Sequence, residues 1–250
     1  MSLYQTNLME KVIGRSFWKD KVDKLGNVLP RITKDEINQY ENWANERLYL
    51  TGAEGGTLPT WDWLLAKFKE QMYSFGINIF VIDAFNKVIL DKGNRLEEIN
   101  RVLTKLTHFA QSNNVAIILV AHPTKMKKDE KTGLYEVPSL YDVSGSADFR
   151  NQTHNGFTIY RYFETEKDEG YSEFYNMKTK FNFQGEIGSK MAFSYSPVNG
   201  RFYEKGTDEP FFSLIGYNSS EGLKPKFQEE KEILPNISVE DAFGENDIAF

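Results

Sequence analysis

INIFVID at 77–83, an amphipathic run at 94–112 and VAIILVAH at 115–122 decide the fold. Both short runs are apolar almost throughout, and each ends on a polar residue, Asp83 in the first and His122 in the second. A strand that is apolar on both faces belongs to a sheet covered on both faces, which is the habit of parallel sheets. The run between them sets Leu96, Ile99, Val102, Leu103, Leu106, Phe109 and Ala110 at helical spacing. The pattern therefore predicts strand, crossover helix, strand, in an α/β fold with a mainly parallel sheet flanked by helices. Ligands of such sheets bind beyond the carboxyl ends of the strands, where Asp83 and His122 would stand. Taken alone, Asp83 reads equally well as a turn or cap residue, and His122 as a half-buried histidine satisfied by a neighbour.

On the N-terminal side, residues 1–3 read as a vector-derived start and are set aside. Leu8, Val12 and Ile13 then predict a short helix that Gly14 ends. A second helix is expected over 33–47, where Thr33 and Glu36 form a capping box. Residues 48–50 read as a short buried strand entering a Gly-rich turn, and a helix runs from 60 to 75 with Gly76 as its stop. On the C-terminal side, 135–150 is polar and loop-like and 156–163 is a strand. Segments 171–183 and 190–204 read as antiparallel strands, with a turn at Pro197-Val198-Asn199-Gly200. Residues 206–250 are irregular and rich in Gly, Pro, Asn, Ser and Glu, the composition of a largely disordered segment. The expected organisation is one body at 4–204 and an acidic tail at 205–250.

With 250 residues, 40% of them hydrophobic, the chain has enough apolar material for a substantial core. It contains no cysteine and 3 histidines, His108, His122 and His154. A disulfide scaffold, a thiolate metal centre and a cysteine nucleophile are thereby excluded, and any metal is expected on oxygen ligands. There is no apolar run of membrane-spanning length, so the expected compartment is the cytoplasm. The net charge is −6, yet from Glu204 onward 11 acidic and 4 basic residues carry −7, which leaves the body at +1. A near-neutral body still permits a local basic surface of the kind phosphate recognition needs.

Three spaced segments carry a family resemblance: NRLEEINRVLTKLTHFAQSNNVAIILVAHPTK at 94–125, SLYDVSGSADFRNQTHNGFTIYR at 139–161 and NMKTKFNFQGEIG at 176–188. In this order they resemble the C-terminal motor domain of DnaB/Twinkle-type replicative DNA helicases, over about residues 4–204. Phage-like and Twinkle-like members are the nearest in character, because a histidine stands in the VAHP position where bacterial members usually have glutamine. The resemblance implies a RecA-like P-loop NTPase core, ATP and Mg²⁺ as cofactors, single-stranded DNA as partner and a hexamer as assembly. It makes Asp83 the Walker B aspartate, which acts on Mg²⁺ and nucleotide. His122 becomes the sensor coupling phosphate state to DNA.

Ser144, Gly145, Ser146 and Ala147 resemble the central-channel loop, whose small residues let backbone N–H groups approach DNA phosphates. Arg150 adds a phosphate contact, and Lys125, Lys127 and Lys128 lie in a loop that either faces the channel or is a solvated turn. Lys178 and Lys180 resemble the Lys-x-Arg pair that reaches the nucleotide of a neighbouring subunit and stabilises charge on the transferred phosphoryl group. Lysine at 180 keeps that charge but lacks the planar fork of arginine.

No GxxxxGK[ST] loop occurs in the 250 residues. In the family this loop and a glutamate base lie upstream of the segment resembling 4–17, so the chain reads as an N-terminally truncated motor that does not hydrolyse ATP alone. The expected function is the motor of a hexameric replicative helicase that couples ATP hydrolysis to translocation on single-stranded DNA. The alternative is a non-hydrolysing RecA-like DNA-binding or assembly module acting as regulator or loader. The terminus Asp247-Ile248-Ala249-Phe250 reads either as a solubilising end or as a docking peptide for a replication partner.

Overall fold

The computed structural model describes residues 3–18, 21–22, 26–52, 59–90, 94–131, 133–143, 147–163, 170–207 and 211–215. The helices are α1 (Leu3–Ile13), α2 (Lys34–Arg47), α3 (Trp61–Phe75), α4 (Arg95–Asn113) and α5 (Asp148–Gln152). The strands are β1 (Ile79–Asp83), β2 (Ala116–Val120), β3 (Gly156–Tyr162), β4 (Tyr171–Lys178), β5 (Lys190–Tyr195) and β6 (Phe202–Glu204). Local chemistry sets most helix ends. The Thr33 hydroxyl accepts from Glu36 N at 3.2 Å, and the Glu36 carboxylate accepts from Thr33 N at 2.9 Å, so α2 starts on the expected capping box. Thr60 accepts from Trp63 N at 3.3 Å to open α3, and Gly76 ends it in the left-handed region at φ 69°. Helix α1 starts at Leu3.

Strands β1 and β2 pair in parallel through α4, in register from Ile79↔Ala116 to Asp83↔Val120. Strands β3 to β6 form an antiparallel sheet in sequence order. The class is thus α/β, with a helix-flanked parallel pair followed by antiparallel strands. Helices α3 and α4 pack Leu64, Phe68, Ile99, Val102, Leu103 and Leu106 with Phe80 and Ile82 of β1. Phe68 and Phe80 stack with ring centroids 4.2 Å apart. Burying each such side chain stabilises by about 1.5–3 kcal/mol, so this cluster supplies most of the drive that seats β1.

Two expectations are corrected. Cover on both faces of the parallel strands is not found among the described residues: Ile79, Val81 and Ile118 are 58%, 60% and 52% exposed. Their apolar character shows that both faces tolerate burial, but which face receives a helix is decided by the packing partners. Residues 48–50 form no strand with any of the described residues; Tyr49 instead stacks on Phe75 of α3 at 4.6 Å.

A second cluster of Met9, Val12, Ile13, Ile32 and Tyr40 holds α1 to α2. The turn between β5 and β6 fastens it to the antiparallel sheet. Buried Arg201 donates from Nε to Lys11 O at 2.6 Å and from Nη2 to Val12 O at 3.1 Å, while Asn199 Nδ2 donates to Gly14 O at 3.1 Å. These donors satisfy carbonyls that a helix C-terminus leaves without intrahelical partners. Residues 211–215 lie against the same end, with Leu214 N donating to Val12 O at 2.8 Å. Residues 216–250, with Asp247-Ile248-Ala249-Phe250, lie outside the described residues. Among the described residues no helix is long and apolar enough to cross a membrane.

Candidate functional site

The parallel register puts Asp83 opposite Val120, so Asp83 and the chain leaving β2 stand at the same carboxyl end. His122 follows two residues after Val120, and both it and Asp83 are exposed. The Asp83–Ala84 peptide is cis. Beyond it the chain dives into the core: Phe85 is 2% exposed, with its ring 5.1 Å from Trp61 and edge-on to Phe149 at 5.0 Å. The position of Asp83 is therefore fixed by an aromatic plug that touches both α3 and α5.

His122 connects to a second ladder. Pro123 forms an antiparallel bridge with Val143, and Thr124 N donates to Asp142 O at 2.7 Å. The Asp142 carboxylate in turn accepts from Ser139 N and Ser139 Oγ, each at 2.7 Å. This clamp holds the backbone one residue after His122 against the segment that leads to Ser144. Ser144, Gly145 and Ser146 themselves lie outside the described residues. On their far side Asp148 accepts from Asn100 Nδ2 at 2.8 Å and Phe149 joins the core, so α5 is seated on α4. Lys125 and Lys127 are exposed on the excursion after Pro123, where Lys128 Nζ sits 5.2 Å from the Tyr135 ring.

A separate basic group gathers between α5 and the end of β4. Lys178 Nζ donates to the main-chain carbonyl of Arg150 and, at 3.4 Å, to that of Asn151. Burial, then the neighbouring Arg150 and Lys180, hold the Lys178 ammonium below the usual lysine range. His154 is also pushed down, first by burial, then by Lys180 and Lys178. Its Nε2 lies 3.4 Å from Gln111 Nε2 of α4. The Arg150 guanidinium stands 5.2 Å over the Tyr141 ring.

The sequence reading assigned Arg150 to DNA and Lys178 with Lys180 to nucleotide, whereas the fold puts all three in one place. It missed His154 and Gln111, because the spacing of His154 in FRNQTHNG is that of an ordinary turn residue. Asp83 and His122 belong to the parallel pair and Lys178 to the antiparallel sheet, so these groups stand on different sheets. Among the described residues no group of three or more His, Cys, Asp or Glu side chains could hold a metal ion. A hydrated Mg²⁺ carried on phosphates needs only one or two carboxylates, and the exposed Asp83 fits that lesser requirement.

No family model matches the chain. The Twinkle homolog protein, chloroplastic/mitochondrial, of Arabidopsis thaliana is 31% identical over 157 residues, which are 62% of this chain and 21% of that protein. The chain thus spans well under half the length of this relative. A solved DnaB-like replicative helicase, described together with its interactions with primase, shares the fold at a TM-score of 0.57. That likeness covers 81% of this chain and 49% of the other at 13% identity. The chain is thus similar in sequence to part of a Twinkle homologue and shares its fold with a DnaB-like replicative helicase.

Proposed function

We propose that the chain forms part of the motor of a hexameric replicative DNA helicase that couples ATP hydrolysis to translocation on single-stranded DNA. The observation that carries this reading is the pairing of Asp83 with Val120, which sets a carboxylate and His122 at one end of adjacent parallel strands. In this role Asp83 holds a Mg²⁺ on the nucleotide phosphates, and the ion neutralises charge that develops there. His122 reads the phosphate state, and the Pro123–Val143 bridge passes a shift of His122 to the backbone entering 144–146. Lys125, Lys127 and residues 144–146 take DNA phosphates, while Lys180 reaches the nucleotide of an adjacent copy. Residues 247–250 dock a replication partner.

The 250 residues contain no GxxxxGK[ST] loop, so the chain by itself lacks the main cradle for β- and γ-phosphates and does not turn over ATP. The test fuses a strand–loop–helix bearing such a loop ahead of Tyr4 and measures ATP hydrolysis with and without an oligothymidylate. The expected result is DNA-stimulated turnover that falls about 100-fold or more in Asp83→Asn, and none from the unfused chain. Fused turnover indifferent to Asp83→Asn, or DNA-stimulated turnover by the unfused chain, would overturn the reading.

A further inference from the structure

The loop that leaves β4 reads KTKFNF at 178–183, with lysine at 178 and 180 and phenylalanine at 181 and 183. Both rings point to solvent. Phe183 is 85% exposed, more than any other large hydrophobic among the described residues, and Phe181 is also exposed. The two rings stack with centroids 5.5 Å apart and planes 10° from parallel, and Lys180 Nζ stands 5.7 Å from the centroid of the Phe181 ring. Phe181 is thus engaged by two neighbours, and the open aromatic surface belongs to Phe183. Hydrogen bonds close the loop at successive levels. Asn176 Nδ2 donates to Glu186 O at 2.9 Å and Gly188 N to Asn176 O at 2.7 Å at the base. Thr179 Oγ1 donates to Gly185 O at 3.4 Å above them, and Gln184 N to Phe181 O at 3.0 Å at the tip. A ring pair held out on so closed a loop loses little freedom when a ligand covers it, so the contact is preorganised.

We propose that Phe183, backed by Phe181, is a stacking platform for an unpaired base of a single-stranded nucleic acid. A phenylalanine ring offers a flat π-face and no hydrogen bond, so it accepts any base and reads no sequence. The charge around it suits a polyanion: within 176–188 Lys178 and Lys180 face a single acid, Glu186. A strand is favoured over a lone nucleotide on magnitude. One stacked base on an open protrusion holds a mononucleotide weakly, whereas a strand adds phosphate attraction along its length to the same stack. The platform is carried by this loop alone and does not rest on the motor reading. It also differs in kind from the contacts of Lys125, Lys127 and 144–146, which take phosphates, because it takes a base.

The test uses the full chain, a fluorescent oligothymidylate and an abasic strand of the same length and phosphate count, with binding read by anisotropy at low salt. Wild type is expected to prefer the oligothymidylate by at least about fivefold, the lower end of what one stacked base contributes. Phe183→Ala should lose that preference and bind the abasic strand as wild type does, since the phosphate attraction is untouched. Phe183→Trp should keep the preference, whereas Phe183→Leu, apolar but without a π-face, should lose most of it. Thermal melts are expected to be unchanged, because the side chain stands in solvent. Equal affinity of wild type for the two strands, binding of neither, or a preference that survives Phe183→Ala overturns the platform. Sedimentation of the same variants exposes the competing occupant: self-association that Phe183→Ala abolishes, with the base preference intact, assigns the rings to a second copy of the chain and overturns the proposal. None of these outcomes bears on the loss of turnover expected in Asp83→Asn, so the platform and the motor fail separately.

Discussion

Phe85→Ala removes the side chain that ties the end of β1 to α5. Phe85 is 2% exposed and lies between Trp61 at 5.1 Å and Phe149 at 5.0 Å. Truncating a buried phenylalanine costs about 3–5 kcal/mol through lost transfer energy and the cavity left behind. Each aromatic pair accounts for about 0.5–1.5 kcal/mol of this. The loss should fall in the upper half of that range, because the site is flanked by rigid rings on two helices and collapses poorly. For a chain of this size, each kcal/mol shifts the melting temperature by about 2–4 °C, which gives a fall on the order of 10 °C. Urea unfolding followed by tryptophan fluorescence measures it directly, with Trp61 as a neighbouring reporter. Phe85→Leu, which keeps most of the volume, should cost less than about 1.5 kcal/mol. A double-mutant cycle of Phe85→Ala with Phe149→Ala should return a coupling of about 1 kcal/mol. A loss below about 1 kcal/mol for Phe85→Ala, or strict additivity in the cycle, would show that the Asp83 strand end is not seated on α5.

Arg201→Met withdraws the donors from Lys11 O and Val12 O; denaturant unfolding should report a loss of about 1.5–3 kcal/mol, the value of hydrogen bonds to a charged group. Gly14→Ala places a Cβ 2.5 Å from Phe212 O at a residue with φ 84°. Limited proteolysis should then cut 211–215 faster than in the wild type, because the backbone there must move away from α1. Burial pushes Glu173 up, but hydrogen bonds from Lys190, Tyr175 and Tyr162 outweigh it and hold the carboxyl below the usual range. The carboxylate therefore stabilises the fold above its unfolded pKa of about 4.3, and this is lost as pH falls through the lower folded value. The melting-temperature gap between wild type and Glu173→Gln should be full at neutral pH and should shrink below about pH 4; a gap constant across that window contradicts the assignment.

Features fixed within a few residues were legible without coordinates. Thr33 with Glu36, Thr60, Gly14 and Gly76 mark helix ends because capping is settled by hydrogen bonds and backbone angles inside one turn. The polar residue closing each apolar run marked the carboxyl ends of β1 and β2. The turn at 197–200 was readable for the same local reason, though its donation to α1 was not. The segment at 48–50 misled, since a short apolar run states only a readiness to pair and names no partner.

The amino-acid sequence by itself determined the α/β class, the order of the elements and the polar residues at the strand ends. These follow from hydrophobic period and capping, which act between residues close in the chain. Only the tertiary structure decided that α3 and α4 cover one face of β1, that Lys178 braces α5 and gathers Arg150 and His154 into one basic group, and that Arg201 reaches back to Lys11. Those contacts join residues far apart in sequence, and their energy depends on which surfaces meet once the strands have paired.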